Sequence, residues 1–197
     1  MRLDPAITVY YVRHGETEWN AAQRTQGHTD IPLNENGRAQ ARRNGVRLRT
    51  LLGDAPQLSF VASPLSRACE TMEIIRDELG LASAGYRTDE RIKELGFGVS
   101  EGVRWPDYVA SLFAAEARDG VDPWTYAPEG GESYATGFTR ASGFFESLAE
   151  DTVVVAHGGI SRCVHAALGV LERRDAIAHL IPQDKVMVLR AGRLDWA

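Results

Sequence analysis

Apolar residues fall into short blocks along this chain, and the blocks alternate between two periods. "ITVYYV", Ile7 to Val12, is β-branched and aromatic with little alternation, the signature of a strand buried on both faces. "LSFVAS", Leu58 to Ser63, and "TVVVAH", Thr152 to His157, repeat it. Between them the spacing becomes helical. Ala41, Gly45, Leu48 and Leu52 share one face, with Asn34 as a candidate N-cap. Ala68, Met72, Ile75 and Leu79 share another, and Ser63-Pro64 reads as an N-cap followed by proline at the first helical position. Tyr134, Phe138, Ala141, Phe145 and Leu148 form a strong stripe, and Ile160, Val164, Ala167 and Leu171 a further one. "KVMVLRAGRLDW" reads as a closing hairpin around Ala191-Gly192.

Strands alternating with helices predict an α/β domain with a largely parallel sheet. Leu95 to Ser133 breaks the rhythm. It is rich in Gly, Pro, Trp and Glu, with only a short helical pattern near Tyr108 to Phe113. It reads as a lid-like insertion, at about 95–133, in a single domain over 1–197.

Composition narrows the partners. With 44% hydrophobic and 25% charged residues, the 197-residue chain can build an ordinary core. A net charge of −5 argues against a broad nucleic-acid surface, although a few arginines can still attract a small anion locally. Cys69 and Cys163 are far apart and show no zinc spacing, so two reduced thiols are expected. The opening "MRLDPAITVYY" lacks a signal-peptide pattern, and no apolar run has the length of a membrane span. A cytoplasmic protein without membrane contact is expected.

Ligands of open α/β sheets bind beyond the carboxyl ends of the strands. Three strand ends here carry chemistry: Arg13-His14, then Ser63 with Arg67, then His157 before two glycines. Arginine offers a planar fork of donors matched to phosphate, and a neutral imidazole can attack phosphorus to give a phosphohistidine. A second histidine can donate to the phosphoryl group, and a nearby carboxylic acid can protonate the leaving alkoxide. "GFGVSEG" fails the dinucleotide-binding spacing, and "HGGI" has no accompanying G-x-S-x-G elbow, which excludes a serine hydrolase of that type. His28, His165 and His179 read as surface or satisfied histidines, and Trp19 and Trp124 as packing residues.

"RHGETEWN", "QGHTDIPLNENG", "SPLSRACET", "ELGFGVSEG", "PEGGES" and "AHGG" stand in the order that resembles the histidine phosphatase superfamily, the phosphoglycerate-mutase-like proteins. The resemblance implies a three-layer α/β/α sandwich with a mixed, mostly parallel sheet. It implies His14 as nucleophile, Arg13, Arg67 and His157 as its phosphate pocket, and Glu94 as proton donor. Asn20, Gln26 and Gly27 match positions lining the site, and Gly158 the backbone position beside the second histidine. It implies neither a metal nor a cofactor. Relatives often carry an aromatic where this chain has Ser100, and Trp105 is a candidate to refill that space. "ELGFGVSEG" is similar to the phosphatase branch, which makes a small-molecule phosphate ester the expected partner. A phosphoglycerate mutase and a non-catalytic phospho-ligand binding module remain the alternatives, and a homodimer stays open.

Overall fold

The computed structural model describes residues 1–53 and 58–197. The chain runs β1 (Thr8–Arg13), α1 (Glu18–Ala21), α2 (Glu35–Leu52), β2 (Ser59–Ala62), α3 (Ser66–Glu78) and β3 (Arg87–Thr88). It continues through α4 (Trp105–Asp119), α5 (Tyr134–Glu146), β4 (Thr152–Ala156), α6 (Gly158–Ala167) and α7 (Arg173–Ala178), then closes with β5 (Val186–Arg190) and β6 (Arg193–Trp196). The six strands form one sheet in the order β3-β2-β4-β1-β5-β6. The first four are mutually parallel, β5 runs antiparallel to β1, and β6 runs antiparallel to β5. This mixed α/β sheet, covered by helices on both faces, matches the expected fold class.

Side-chain alternation along the strands sorts the core into two halves. Val9, Tyr11, Val154 and Ala156 face Ala141, Phe144 and Phe145 of α5 and Ile160 and Val164 of α6. Val12, Val153 and Val155 face Leu48 of α2 and Ala68, Met72 and Ile75 of α3. β4 is buried at every position, as its unbroken apolar run predicts. The final hairpin turns at Ala191 and Gly192, both at positive φ (49° and 74°), the mirror-image turn that suits the twist of paired strands.

Asn34 caps α2 as read from the sequence, its side chain accepting from the Gly37 N–H at 2.8 Å. The Ser63-Pro64 start signal is displaced. α3 begins at Ser66 behind Leu65, without a side-chain cap, and Ser63 serves the site instead. α6 ends at Ala167, so Leu171 lies beyond it. The largest difference is in 95–133. α4 covers fifteen residues, and Phe97, Tyr108, Leu112 and Trp124 build a third apolar cluster with Tyr134, Cys163 and Ile177. The segment is packed onto α5 and α6 through its own core. Both cysteines are free, and no helix among the described residues is long and apolar enough to cross a membrane.

Candidate active site

Parallel register brings the three chemistry-bearing strand ends together. Arg13 is level with Ala156, and Ala62 with Val155, so His14, Ser63 and His157 emerge side by side. The His14 N–H donates to the Ala156 carbonyl at 2.9 Å and the Ser63 N–H to Val155 at 2.9 Å, which extends the ladder into the site. The two imidazole centroids are 5.1 Å apart.

His14 is buried at 2% exposure. Its Nδ1 lies 2.7 Å from the Gly15 carbonyl, which can only accept. Nδ1 therefore carries the proton and Nε2 keeps its lone pair. Burial, then Arg67 and Arg13, hold the imidazole pKa well below its ordinary 6.5, so the ring is neutral near pH 7. Gly15 itself is dictated by packing, because a Cβ there would collide with the Gly37 carbonyl at the start of α2.

The two arginines are fixed at their ends and open in the middle. Arg13 Nη1 donates to Ile181 O at 2.6 Å, while Arg67 donates to Gly27 O at 2.8 Å and Thr29 O at 3.0 Å, with Asp30 at 3.4 Å. The Nε of each is buried without a partner among the described residues. Burial and the nearby Arg162 charge push the Arg13 pKa down to about 10, still far above neutrality. His157 is fully buried and loses proton affinity through burial, then through Arg67 and His14. Its Nε2 meets Ser63 Oγ at 2.6 Å, its backbone carbonyl accepts from Tyr11 Oη at 2.6 Å, and its Nδ1 has no partner among the described residues.

Glu94 reaches the same place from the opposite side. One carboxyl oxygen accepts the Leu95 N–H at 2.9 Å and the other the Gly159 N–H at 3.1 Å, at the N-terminus of α6. A Cβ at Gly159 would strike this carboxyl, which explains the second glycine after His157.

One pocket gathers most of the residues singled out from the sequence: Arg13, His14, Asn20, Gln26, Arg67, Glu94 and Gly158 line it. Asn20 Oδ1 is occupied by Thr17 and by Gln183 Nε2 at 3.1 Å, which turns its amide N–H₂ toward ligand use. Gly27 does not line the pocket and acts through the carbonyl that holds Arg67. His28 is more than a surface residue, since its Nε2 lies 2.9 Å from the Glu94 carbonyl. His165 is buried away from the pocket against Ser161 O at 2.8 Å, and Trp124 stacks on Tyr134 in the third cluster.

Sequence reasoning missed Arg24, Arg162, Leu180 and Gln183 in the pocket wall, and it placed Ser63 at a chemistry-bearing strand end without the role it takes beside His157. Arg162 had a signal: it follows Gly158 by one helical turn and so shares its face. Leu180 and Gln183 sit in the loop after α7, where no periodicity marks them. Trp105, the candidate to refill the space near Ser100, lines the pocket edge-on to Phe97.

The family model for the histidine phosphatase superfamily (branch 1) matches residues 9–196. "Phosphoglycerate mutase-like protein 4" of Arabidopsis thaliana is 35% identical over 80% of this chain and 69% of its own length. "Uncharacterized phosphatase PhoE" of Bacillus subtilis is 41% identical over 51% of this chain, a match spanning about half (52%) of that relative. The crystal structure of TTHB049 from Thermus thermophilus superposes with a TM-score of 0.72 at 32% identity, covering 95% of this chain and 96% of that one. With five of its six motifs joined in one pocket on a shared fold, the chain belongs to the histidine phosphatase superfamily.

Proposed function

We propose that the protein is a metal-independent phosphatase of small-molecule phosphate monoesters that works through a phosphohistidine on His14. One observation carries this reading: a buried, neutral His14 with a free Nε2 shares a pocket with two guanidiniums, each holding an unpaired Nε, and with the Glu94 carboxyl. A phosphoryl group would satisfy those orphaned donors and the partnerless Nδ1 of His157.

In the first step His14 Nε2 attacks phosphorus in line and the ester P–O bond breaks. The departing oxygen keeps the electron pair and takes a proton from Glu94. Arg13, Arg67 and His157 hold the charge on the equatorial oxygens throughout. In the second step Glu94 takes a proton from water, the oxygen attacks phosphorus, and the N–P bond breaks to return the lone pair to Nε2. Asn20 and Gln26 orient the phosphoryl group, Gly27 keeps Arg67 aimed, and Gly158 gives the backbone room beside His157.

Water access favours hydrolysis over return of the phosphoryl group to substrate. The pocket rim carries the exposed Arg24 and Leu180, the latter 76% exposed, so solvent reaches the site. The names of the relatives support both activities, and the mutase is the second reading. A panel of phosphate esters scored for phosphate release and for phosphoglycerate isomerisation separates the two. The purified protein is expected to hydrolyse p-nitrophenyl phosphate without added metal, with inhibition by vanadate. His14→Ala is expected to abolish turnover, and retention of most activity would remove His14 as nucleophile. Glu94→Gln is expected to slow alkyl esters far more than aryl esters, whose leaving groups need little protonation.

A further inference from the structure

Arg67 is oriented mainly by main chain. Its Nη2 donates to Gly27 O at 2.8 Å and its Nη1 to Thr29 O at 3.0 Å, with the Asp30 carboxylate farther off at 3.4 Å. Both carbonyls belong to one turn, residues 27–29, which lies in no strand or helix. Whatever holds that turn sets the aim of Arg67.

The turn is held by Glu101, 72 positions beyond Thr29 in "GFGVSEG". Its Oε1 accepts the His28 N–H at 2.8 Å and the Phe97 N–H at 3.2 Å. Its Oε2 accepts the Thr29 N–H at 3.0 Å and the Thr29 hydroxyl at 2.5 Å. The Thr29 N–H is shared with Gln26 O at 3.1 Å, but the His28 and Phe97 N–H groups have no other partner among the described residues. Three main-chain N–H groups and a hydroxyl thus converge on one place. Such nests of donors bind free anions, and here the anion is the protein's own carboxylate. Gly27 belongs to the same device. Its φ is 57°, and a Cβ there would collide with Glu101 Oε1. Burial raises the Glu101 pKa, but hydrogen bonds from Thr29, His28 and Phe97 hold it below its ordinary 4.5, so the group is ionised near pH 7.

We infer that Glu101 is a positioning residue: by filling this four-donor nest it fixes the turn whose carbonyls aim Arg67 at the phosphoryl group. This rests on the phosphatase reading for turnover but not for anion binding. The turn that carries Glu94 has its own anchor in Arg140, which donates to the Glu94 carbonyl at 3.1 Å and pairs with Glu132 at 2.6 Å. Loss of Glu101 therefore falls first on Arg67, which serves every ester alike.

Two variants test this. Glu101→Ala empties the nest, and the isosteric Glu101→Gln puts an N–H₂ where donors already point. Both are expected to lower kcat/KM for p-nitrophenyl phosphate and for an alkyl ester by the same factor, about tenfold or more, the size of one charge-assisted contact. A near-normal Glu101→Gln would overturn the inference, because Glu101 would then only fill space. So would a loss confined to alkyl esters, which would assign Glu101 to Glu94 instead. Formate and acetate are then titrated into Glu101→Ala. They are expected to re-enter the nest and restore much of the lost activity saturably, while formamide and chloride at equal ionic strength do not and the wild type gains nothing. No rescue in a variant shown by urea unfolding to be folded would overturn the inference. If Glu101→Ala does not fold, Glu101→Gln decides alone by the same comparison of esters. Vanadate affinity is measured in parallel by calorimetry. If the wild type turns over no ester, the phosphatase reading fails. The ratio of vanadate affinities between wild type and Glu101→Gln then upholds the inference at about tenfold and overturns it near one.

Discussion

Ser63 Oγ sits between the Leu65 N–H, 3.4 Å away, and His157 Nε2, 2.6 Å away. With its lone pair facing the amide, the hydroxyl proton is free to go to Nε2. That places the imidazole proton on Nδ1, the buried atom left without a partner among the described residues. Ser63 therefore selects the tautomer in which His157 is a donor to phosphate. Ser63→Ala is expected to lower kcat/KM about tenfold or more, the equivalent of one lost buried hydrogen bond of about 1–2 kcal/mol. Ser63→Thr, which keeps the hydroxyl, is expected to recover most of it. No recovery, or no loss in Ser63→Ala, would mean that the tautomer is set elsewhere. This residue also shows where sequence reasoning stops. Arg13, His14, Arg67 and His157 were legible because motif order and strand ends coincide, and Glu94 through motif position alone. Ser63 stood at a chemistry-bearing strand end and also read as a helix cap, and neither local signal names its partner 94 positions away.

At the scale of elements, the turn that carries Glu94 is held from behind by α5. Arg140 donates to the carbonyls of Arg91 at 2.8 Å, Lys93 at 2.6 Å and Glu94 at 3.1 Å, and pairs with Glu132 at 2.6 Å and 2.9 Å. Glu132, from "PEGGES", also accepts the Gly96 N–H at 3.3 Å. One guanidinium thus stitches together a stretch of main chain that no strand or α-helix supports. Loosening it should misplace the Glu94 carboxyl while leaving the His14 side intact. Arg140→Ala is expected to slow alkyl phosphates at least tenfold more than p-nitrophenyl phosphate, with Arg140→Lys intermediate. Equal slowing would point to general destabilisation instead. The insertion around this turn was the least legible part of the fold. α4 buries only Tyr108 and Leu112, so its apolar stripe fades after little more than one turn. Its real stop signal was Gly120, in the left-handed conformation with φ 68°. By contrast β4, buried throughout, announced itself.

For the molecule as a whole, gathering four arginines and two histidines under one sheet edge has a cost that depends on pH. His14 and His157 have pKa values well below their ordinary 6.5, both chiefly through burial. His165 and His179 shift the same way, again led by burial. In the unfolded chain these imidazoles take up protons as pH falls through about 6.5, while the folded chain leaves His14 and His157 neutral. The unfolded state then binds more protons, so stability is retained above that pH and lost below it. Each such histidine contributes up to about 1.4 kcal/mol per pH unit in that window. Asp89 acts in a separate window. Hydrogen bonds from Arg91 hold its carboxyl below the usual 3.8, so its contribution persists until pH falls through that lower value. Urea unfolding at pH 7.5, 6.5 and 5.5 reads the histidine window directly. The wild type is expected to lose stability steeply below pH 6.5, and His14→Asn to show a slope shallower by up to one proton per molecule. Identical slopes would mean that His14 is already charged in the folded enzyme, and a charged imidazole has no lone pair with which to attack phosphorus.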